Sequence, residues 1–154
     1  MTVSAPAPAL SGTMDVDDFM AFLETRPKGE RWDLIEGTAV MMAAPTAVHQ
    51  RIAHNLCNLL LAAFAARGLD LFAYMGLAVR TPGLRNFQPE PDVVVLPAAA
   101  SYDLYFEHFR LAAEILSPSN TRAEIDPIEM PEFGLSCRVG DLYRGTPLDP
   151  ERDQ

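Results

Sequence analysis

Two short apolar runs constrain this chain more than any other feature. Pro91-Asp92-Val93-Val94-Val95-Leu96 and Leu111-Ala112-Ala113-Glu114-Ile115-Leu116-Ser117 are each of strand length, and each carries one carboxylate. Asp92 stands at the mouth of the first run and Glu114 inside the second. A lone charge in an apolar run is costly unless a partner meets it. Two such carboxylates on neighbouring strands make a site for a hard divalent cation, which takes oxygen ligands. The competing reading is a structural pair satisfied by backbone or arginine partners, with Arg85 and Arg122 as the candidates.

The 154 residues suffice for one domain with a real core. A formal net charge of -9 argues against a broad electrostatic footprint on nucleic acid. It does not exclude a nuclease, because a metal site needs acidic residues and a local basic strip can sit within an acidic total. Cys57 and Cys137 belong to no C-x-x-C pair and read as reduced thiols of a cytoplasmic protein. The small, Pro-rich start has neither a basic region nor an apolar run of the kind a signal peptide carries. No apolar run approaches the ~18 residues of a membrane span.

Residues 1–12 read as a flexible tail, 13–147 as a single domain and 148–154 as a second tail. Thr13 is expected to cap a helix with Asp15, Asp17 and Asp18 in its first turn, Phe19, Met20, Phe22 and Leu23 on its apolar face, and Pro27 and Gly29 beyond its end. Trp32 to Met42 reads as a β-hairpin turning at Glu36-Gly37, with Asp33 on its first strand. Pro45-Thr46 opens the longest helix, which Gly68 ends. Val48, Ile52, Leu56, Leu59, Leu60, Ala63 and Phe64 form its apolar stripe. Gln50, His54, Asn58 and Arg67 make the polar face, flanked by His49, Arg51 and Asn55. His49 and His54 are not four apart, so they do not suggest zinc. Arg51 is a solvated charge or a phosphate contact. Leu69 to Arg80 reads as β-structure with a bulge at Gly76. Ala98 to Arg110 reads as a partly helical connection whose Tyr102, Tyr105, Phe106 and Phe109 cover the core. Ser119 or Asn120 can cap a short helix that Pro127 cuts off, and Val139 to Tyr143 fits one helical turn. There is no phosphate-binding glycine loop and no nucleophile elbow.

Taken in order, Phe19 to Leu23, Trp32-Asp33-Leu34-Ile35-Glu36-Gly37, Pro45-Thr46-x-x-His49-x-x-Ile52, Pro91-Asp92-Val93-Val94-Val95 and Glu114-Ile115-Leu116-Ser117-Pro118-Ser119 form an ordered set. The set resembles the Uma-type family of putative restriction endonucleases, within the PD-(D/E)XK nuclease superfamily, over about residues 14 to 126. The resemblance implies an α/β fold of restriction-endonuclease type, with a mixed central sheet flanked by helices. It also implies that Asp92 and Glu114 hold Mg²⁺ or Mn²⁺ for hydrolysis of DNA phosphodiester bonds. Asp33 stands where the family has a glutamate near the site, and His49 matches a family histidine.

Two departures from the family stand out. The superfamily places a lysine two residues after the second carboxylate, where this chain has Leu116. The family moves that lysine to the following helix, but the chain's one lysine is Lys28. Arg122 supplies charge there, yet its guanidinium stays protonated and cannot act as a general base. The family also continues past the Glu114 strand with a helix and further strands, whereas here the sequence passes from Asp126 directly to Pro127. The resemblance therefore implies that a segment of the family fold is absent between them. These departures leave a second reading open, a catalytically inactive interaction module of nuclease fold that forms a homodimer.

Overall fold

Alternating short strands and helices run through the described residues, which in this computed structural model are 13–115, 127–149 and 151. In chain order they are α1 (Val16–Glu24), β1 (Trp32–Ile35), β2 (Thr38–Met41), α2 (Ala47–Arg67), β3 (Leu71–Tyr74), β4 (Ala78–Val79), β5 (Val93–Pro97), β6 (Tyr105–Phe106), β7 (Leu111–Ala113), β8 (Pro127–Met130), β9 (Leu135–Arg138) and α3 (Val139–Leu142). Pairing is parallel between β4 and β6 and antiparallel elsewhere, so the α/β class with mixed strand directions stands. The chain divides into two compact units.

The first unit takes in the chain up to Ala44, Ala78–Glu90 and Asp103–Glu107. Its helix α1 is capped by Asp15 rather than by Thr13. The Asp15 Oδ1 accepts the N–H groups of Asp17 at 2.9 Å and Asp18 at 3.0 Å. The Asp18 carboxylate reaches back to the Asp15 N–H, which closes a capping box. A carboxylate there also meets the helix dipole and the Arg85 guanidinium, at 2.9 Å. A hydroxyl two residues earlier offers neither. The helix ends at Thr25, before the expected Pro27 and Gly29 stop. Its buried face, Val16 and Phe19, joins Leu34 and Ala39, with Phe22 edge-on to Trp32 at 5.0 Å.

The β1–β2 hairpin turns where expected. Ile35 pairs with Thr38, leaving Glu36 (φ 49°) and Gly37 (φ 79°) as a two-residue turn with both φ positive. Leu34 exchanges two backbone hydrogen bonds with Gln88, at 3.1 and 2.8 Å, which brings the approach to β5 alongside the hairpin.

The Asp15 cap makes an acid prediction. Its pKa lies below the ordinary aspartate value, first because of the Asp18 N–H and then because of Arg85. A depressed carboxylate contributes stability above its unfolded pKa and loses it as pH falls through the folded value. The parent is therefore expected to lose α1 helicity in a pH titration below about pH 4. Asp15→Asn, which keeps a capping oxygen without the charge, is expected to lose less over that range. Circular dichroism of both proteins checks this.

The second unit holds α2, the sheet β3-β5-β7, the β8–β9 hairpin and α3. The Thr46 Oγ1 accepts the His49 N–H at 3.2 Å at the start of α2, and Gly68 ends it in the left-handed conformation, φ 63°. Ile52, Ala53, Leu56, Cys57, Leu60 and Phe64 form its buried face. All but Ile52 belong to one core with Ala73, Val93, Val95, Phe133, Leu135 and Cys137. Both thiols are free and buried, and burial pushes Cys57 up to about 11, so it stays protonated at neutral pH.

The C-terminal hairpin and the segment around α3 are tied to the polar side of α2. Asn55 donates to the carbonyls of Leu142 (2.7 Å) and Arg144 (3.0 Å), and Arg67 Nη1 donates to that of Pro131 (3.1 Å). Gly134 (φ 70°) leaves room for the Arg67 side chain, and Gly145 (φ 74°) does the same for Arg51.

Three expectations change. Gly76 does not mark a bulge in one strand; it separates β3 and β4, which belong to different ladders. Residues 98–110 contain no helix, and Tyr105–Phe106 pair with Ala78–Val79 instead. Tyr102 does not cover the core but is fully exposed. Their aromatic and β-branched neighbours favour extended pairing once a partner strand is present. The expected helix at Ser119 or Asn120 and the junction at Asp126 lie outside the described residues.

Candidate functional site

Strand β5 lies between β3 and β7, and Val93, Val94 and Val95 are fully buried. A strand enclosed on both edges and both faces reads as a continuous apolar run, which is why the valines carry no alternation. Its register fixes what stands at its mouth. Val93 is opposite Ala113, Val94 opposite Ala112 and Val95 opposite Leu111. The last pair, Val93 with Ala113, brings Asp92 and Glu114 to the same end of the ladder. The Ile115 N–H donates to Asp92 Oδ2 at 2.8 Å, which ties these two strand ends together.

The same Asp92 oxygen accepts from His49 Nε2 at 3.1 Å, with side-chain exposures of 25% for His49 and 11% for Asp92. This bond requires the imidazole proton on Nε2 when the ring is neutral. His49 is held through its own backbone, since its N–H is the one that Thr46 caps. The helix start, the histidine and the carboxylate thus form one chain of hydrogen bonds.

Glu114 is not inside its strand. β7 ends at Ala113, and Glu114 is exposed immediately after it. The charge therefore avoids the burial cost that its sequence neighbours suggest. Asp33 belongs to the first unit, where it is 4% exposed and its Oδ1 accepts the Glu90 N–H at 3.0 Å. Arg31 pairs with Glu90 there at 2.9 Å. Arg85 is engaged by Asp15 and Asp17. Arg51 lies against the Gly145 turn, and Arg122 is outside the described residues.

Among the described residues, no three His, Cys, Asp or Glu side chains are grouped to enclose a metal ion. Two carboxylates do not make a closed zinc site. They do fit a cation such as Mg²⁺, which keeps several waters and takes one or two protein carboxylates.

Sequence reasoning missed one participant, and one buried arginine that lies in the first unit. The Ile115 N–H is a backbone donor, which no side-chain pattern reveals. Arg80 is only 8% exposed, with its Nε donating to Gln88 Oε1 and its guanidinium stacked 3.3 Å from the Tyr105 ring centre. Its burial depends on residues 8 and 25 positions away, and the local sequence carries no sign of either.

The Uma2 family, described as "Putative restriction endonuclease", matches residues 16–136. No curated protein matches the chain. Among solved structures it resembles a crystal structure titled as a putative nuclease belonging to DUF820 from Anabaena variabilis. The TM-score is 0.60 at 14% identity, covering 84% of this chain and 97% of that one. At that identity the likeness speaks for the fold. No helix among the described residues is long and apolar enough to cross a membrane. The family match takes in the hairpin, the start of α2 with His49, and both carboxylates in their order along the chain, and well over half of the sequence: the protein belongs to the Uma2 family.

Proposed function

We propose that this protein is a metal-dependent nuclease that hydrolyses DNA phosphodiester bonds, with Asp92 and Glu114 as the pair that holds Mg²⁺ or Mn²⁺. The observation that supports this reading is the β5–β7 register, whose last pair, Val93 with Ala113, lies next to Asp92 and Glu114. When bound, the ion supplies an activated water and offsets charge on the phosphate. The chain's own residues do the positioning. The Ile115 N–H and His49 hold one Asp92 oxygen in place, and the exposed Glu114 faces solvent, where a hydrated ion arrives. Arg122 is proposed as an added charge for the phosphate, and Asp33 as a secondary residue, both from the family resemblance.

The test is a calorimetric titration of the parent with Mg²⁺ and Mn²⁺, beside a cleavage assay on supercoiled and linear DNA. Saturable binding with metal-dependent cutting is expected. A parent that binds neither ion and cuts no DNA at any metal concentration would sink the reading.

A second reading is favoured by one specific feature: the family's lysine has no counterpart, since Lys28 is the one lysine of the chain. On that reading the protein is an inactive interaction module of nuclease fold that pairs with a second copy. Sedimentation would then show a dimer that persists when Asp92 and Glu114 are both replaced, and metal would leave the melting temperature unchanged.

A further inference from the structure

The two carboxylate oxygens of Asp92 stand in different surroundings. Oδ2 accepts the Ile115 N–H at 2.8 Å and lies 3.1 Å from His49 Nε2. A carboxylate oxygen offers about two lone-pair sites, so these two donors occupy Oδ2 fully. Among the described residues no donor meets Oδ1. The one buried side-chain nitrogen or oxygen without a partner among them is Arg80 Nη2, so Oδ1 keeps contact with solvent. The Asp92 side chain is 11% exposed, which gives that oxygen its outlet.

The two donors on Oδ2 differ in kind. Ile115 donates from the backbone, which a substitution leaves in place. His49 reaches Oδ2 with its side chain, while its backbone N–H is the one that Thr46 accepts. A change of side chain at 49 therefore spares the cap of α2. His49 is the replaceable half of the clamp.

What the clamp decides is how many oxygens a cation can take. Mg²⁺ demands an octahedral set, keeps several waters and takes one or two carboxylates, whereas Ca²⁺ takes roughly six to eight oxygens and accepts a carboxylate through both of its atoms. A carboxylate with one oxygen committed serves the first ion better than the second. Building on the metal reading above, we propose that Asp92 meets its cation through Oδ1 alone. His49 is the positioning residue that withholds Oδ2 and biases the site toward Mg²⁺ or Mn²⁺ over Ca²⁺.

Calorimetric titration of the full chain and of His49→Ala and His49→Gln with Mg²⁺, Mn²⁺ and Ca²⁺ tests the assignment. Glutamine keeps an N–H donor where Nε2 stood. His49→Ala is expected to bind Mg²⁺ about tenfold more weakly and to lose less affinity for Ca²⁺, so the preference shifts toward Ca²⁺. His49→Gln is expected to keep the preference of the parent. A contact that only supports the fold changes both affinities alike. An unchanged preference in His49→Ala therefore overturns the assignment, as does a His49→Gln preference that matches His49→Ala. Infrared difference spectra of the parent on adding Mg²⁺ give a readout that needs no variant at 49. Binding through one oxygen widens the separation of the two carboxylate stretching bands, and binding through both narrows it. A widening that is absent in Asp92→Ala is expected, and a narrowing overturns the assignment. A parent that binds none of the three ions overturns the metal reading and this assignment together. A parent that binds Mg²⁺, with an unchanged preference in His49→Ala, overturns this assignment alone.

Discussion

Replacing Phe64 by alanine is expected to lower the unfolding free energy by about 3–5 kcal/mol. That is a large share of the ~5–15 kcal/mol that holds a typical domain. Phe64 is 2% exposed and meets the Phe133 ring edge-on, with centroids 5.8 Å apart. It lies in the core that α2 shares with the sheet and the C-terminal hairpin. Removing it opens a cavity where three elements meet, and such a cavity collapses poorly. Phe72 is the comparison. It is 42% exposed, and its neighbour in the ring contacts is Tyr74 rather than the core. Phe72→Ala is expected to cost much less, within about 1 kcal/mol. Urea denaturation of both variants checks the pair, and a loss at Phe64 no larger than at Phe72 would contradict this account of the core.

Asp92 and Glu114 are expected to separate when replaced singly. Both are proposed to hold the ion, so Asp92→Ala and Glu114→Ala should each weaken Mg²⁺ or Mn²⁺ binding by at least the ~10–100-fold that losing a supporting partner costs at metal sites. Metal-dependent cleavage should fall with it. Their effects on folding differ. Asp92 accepts from the Ile115 N–H and from His49, and its side chain is 11% exposed. Its loss leaves a part-buried donor without a partner, which costs about 1–3 kcal/mol. Glu114 is exposed beyond the strand end, so its loss leaves no buried group behind and is expected to cost less than that of Asp92. Calorimetry and urea denaturation on the two variants give the four values needed. Equal stability losses would mean that burial does not separate the two.

How far the sequence was legible depends on how local each signal is. The long helix could be read almost to the residue, because a threonine cap, a one-sided stripe and a glycine stop all lie within it. The hairpin was equally legible, since Glu36-Gly37 satisfies the turn's backbone by itself. The first helix's cap was misplaced. Asp15 outcompetes Thr13 partly through Arg85, which is 70 positions away. The connection at 98–110 was misread because Tyr105 and Phe106 take their conformation from Ala78 and Val79. The sequence shows the carboxylates by type but not by environment: that Glu114 is exposed and Asp92 part-buried follows from where a ladder ends, which composition does not encode. Arg80 was invisible for the same reason.

The cap at Thr46 also sets a phase. Each residue of an α-helix turns the next by about 100° and raises it 1.5 Å. His49 meets Asp92 because it is the third residue after Thr46, and that count sets its direction around the axis. Losing or gaining one residue in Ala47-Val48 would leave the helix intact, yet point the imidazole about a quarter-turn away. The contact at the mouth of β5 is therefore a matter of counting from one hydroxyl, and substitutions along the helix are tolerated far more readily than a change in its length there.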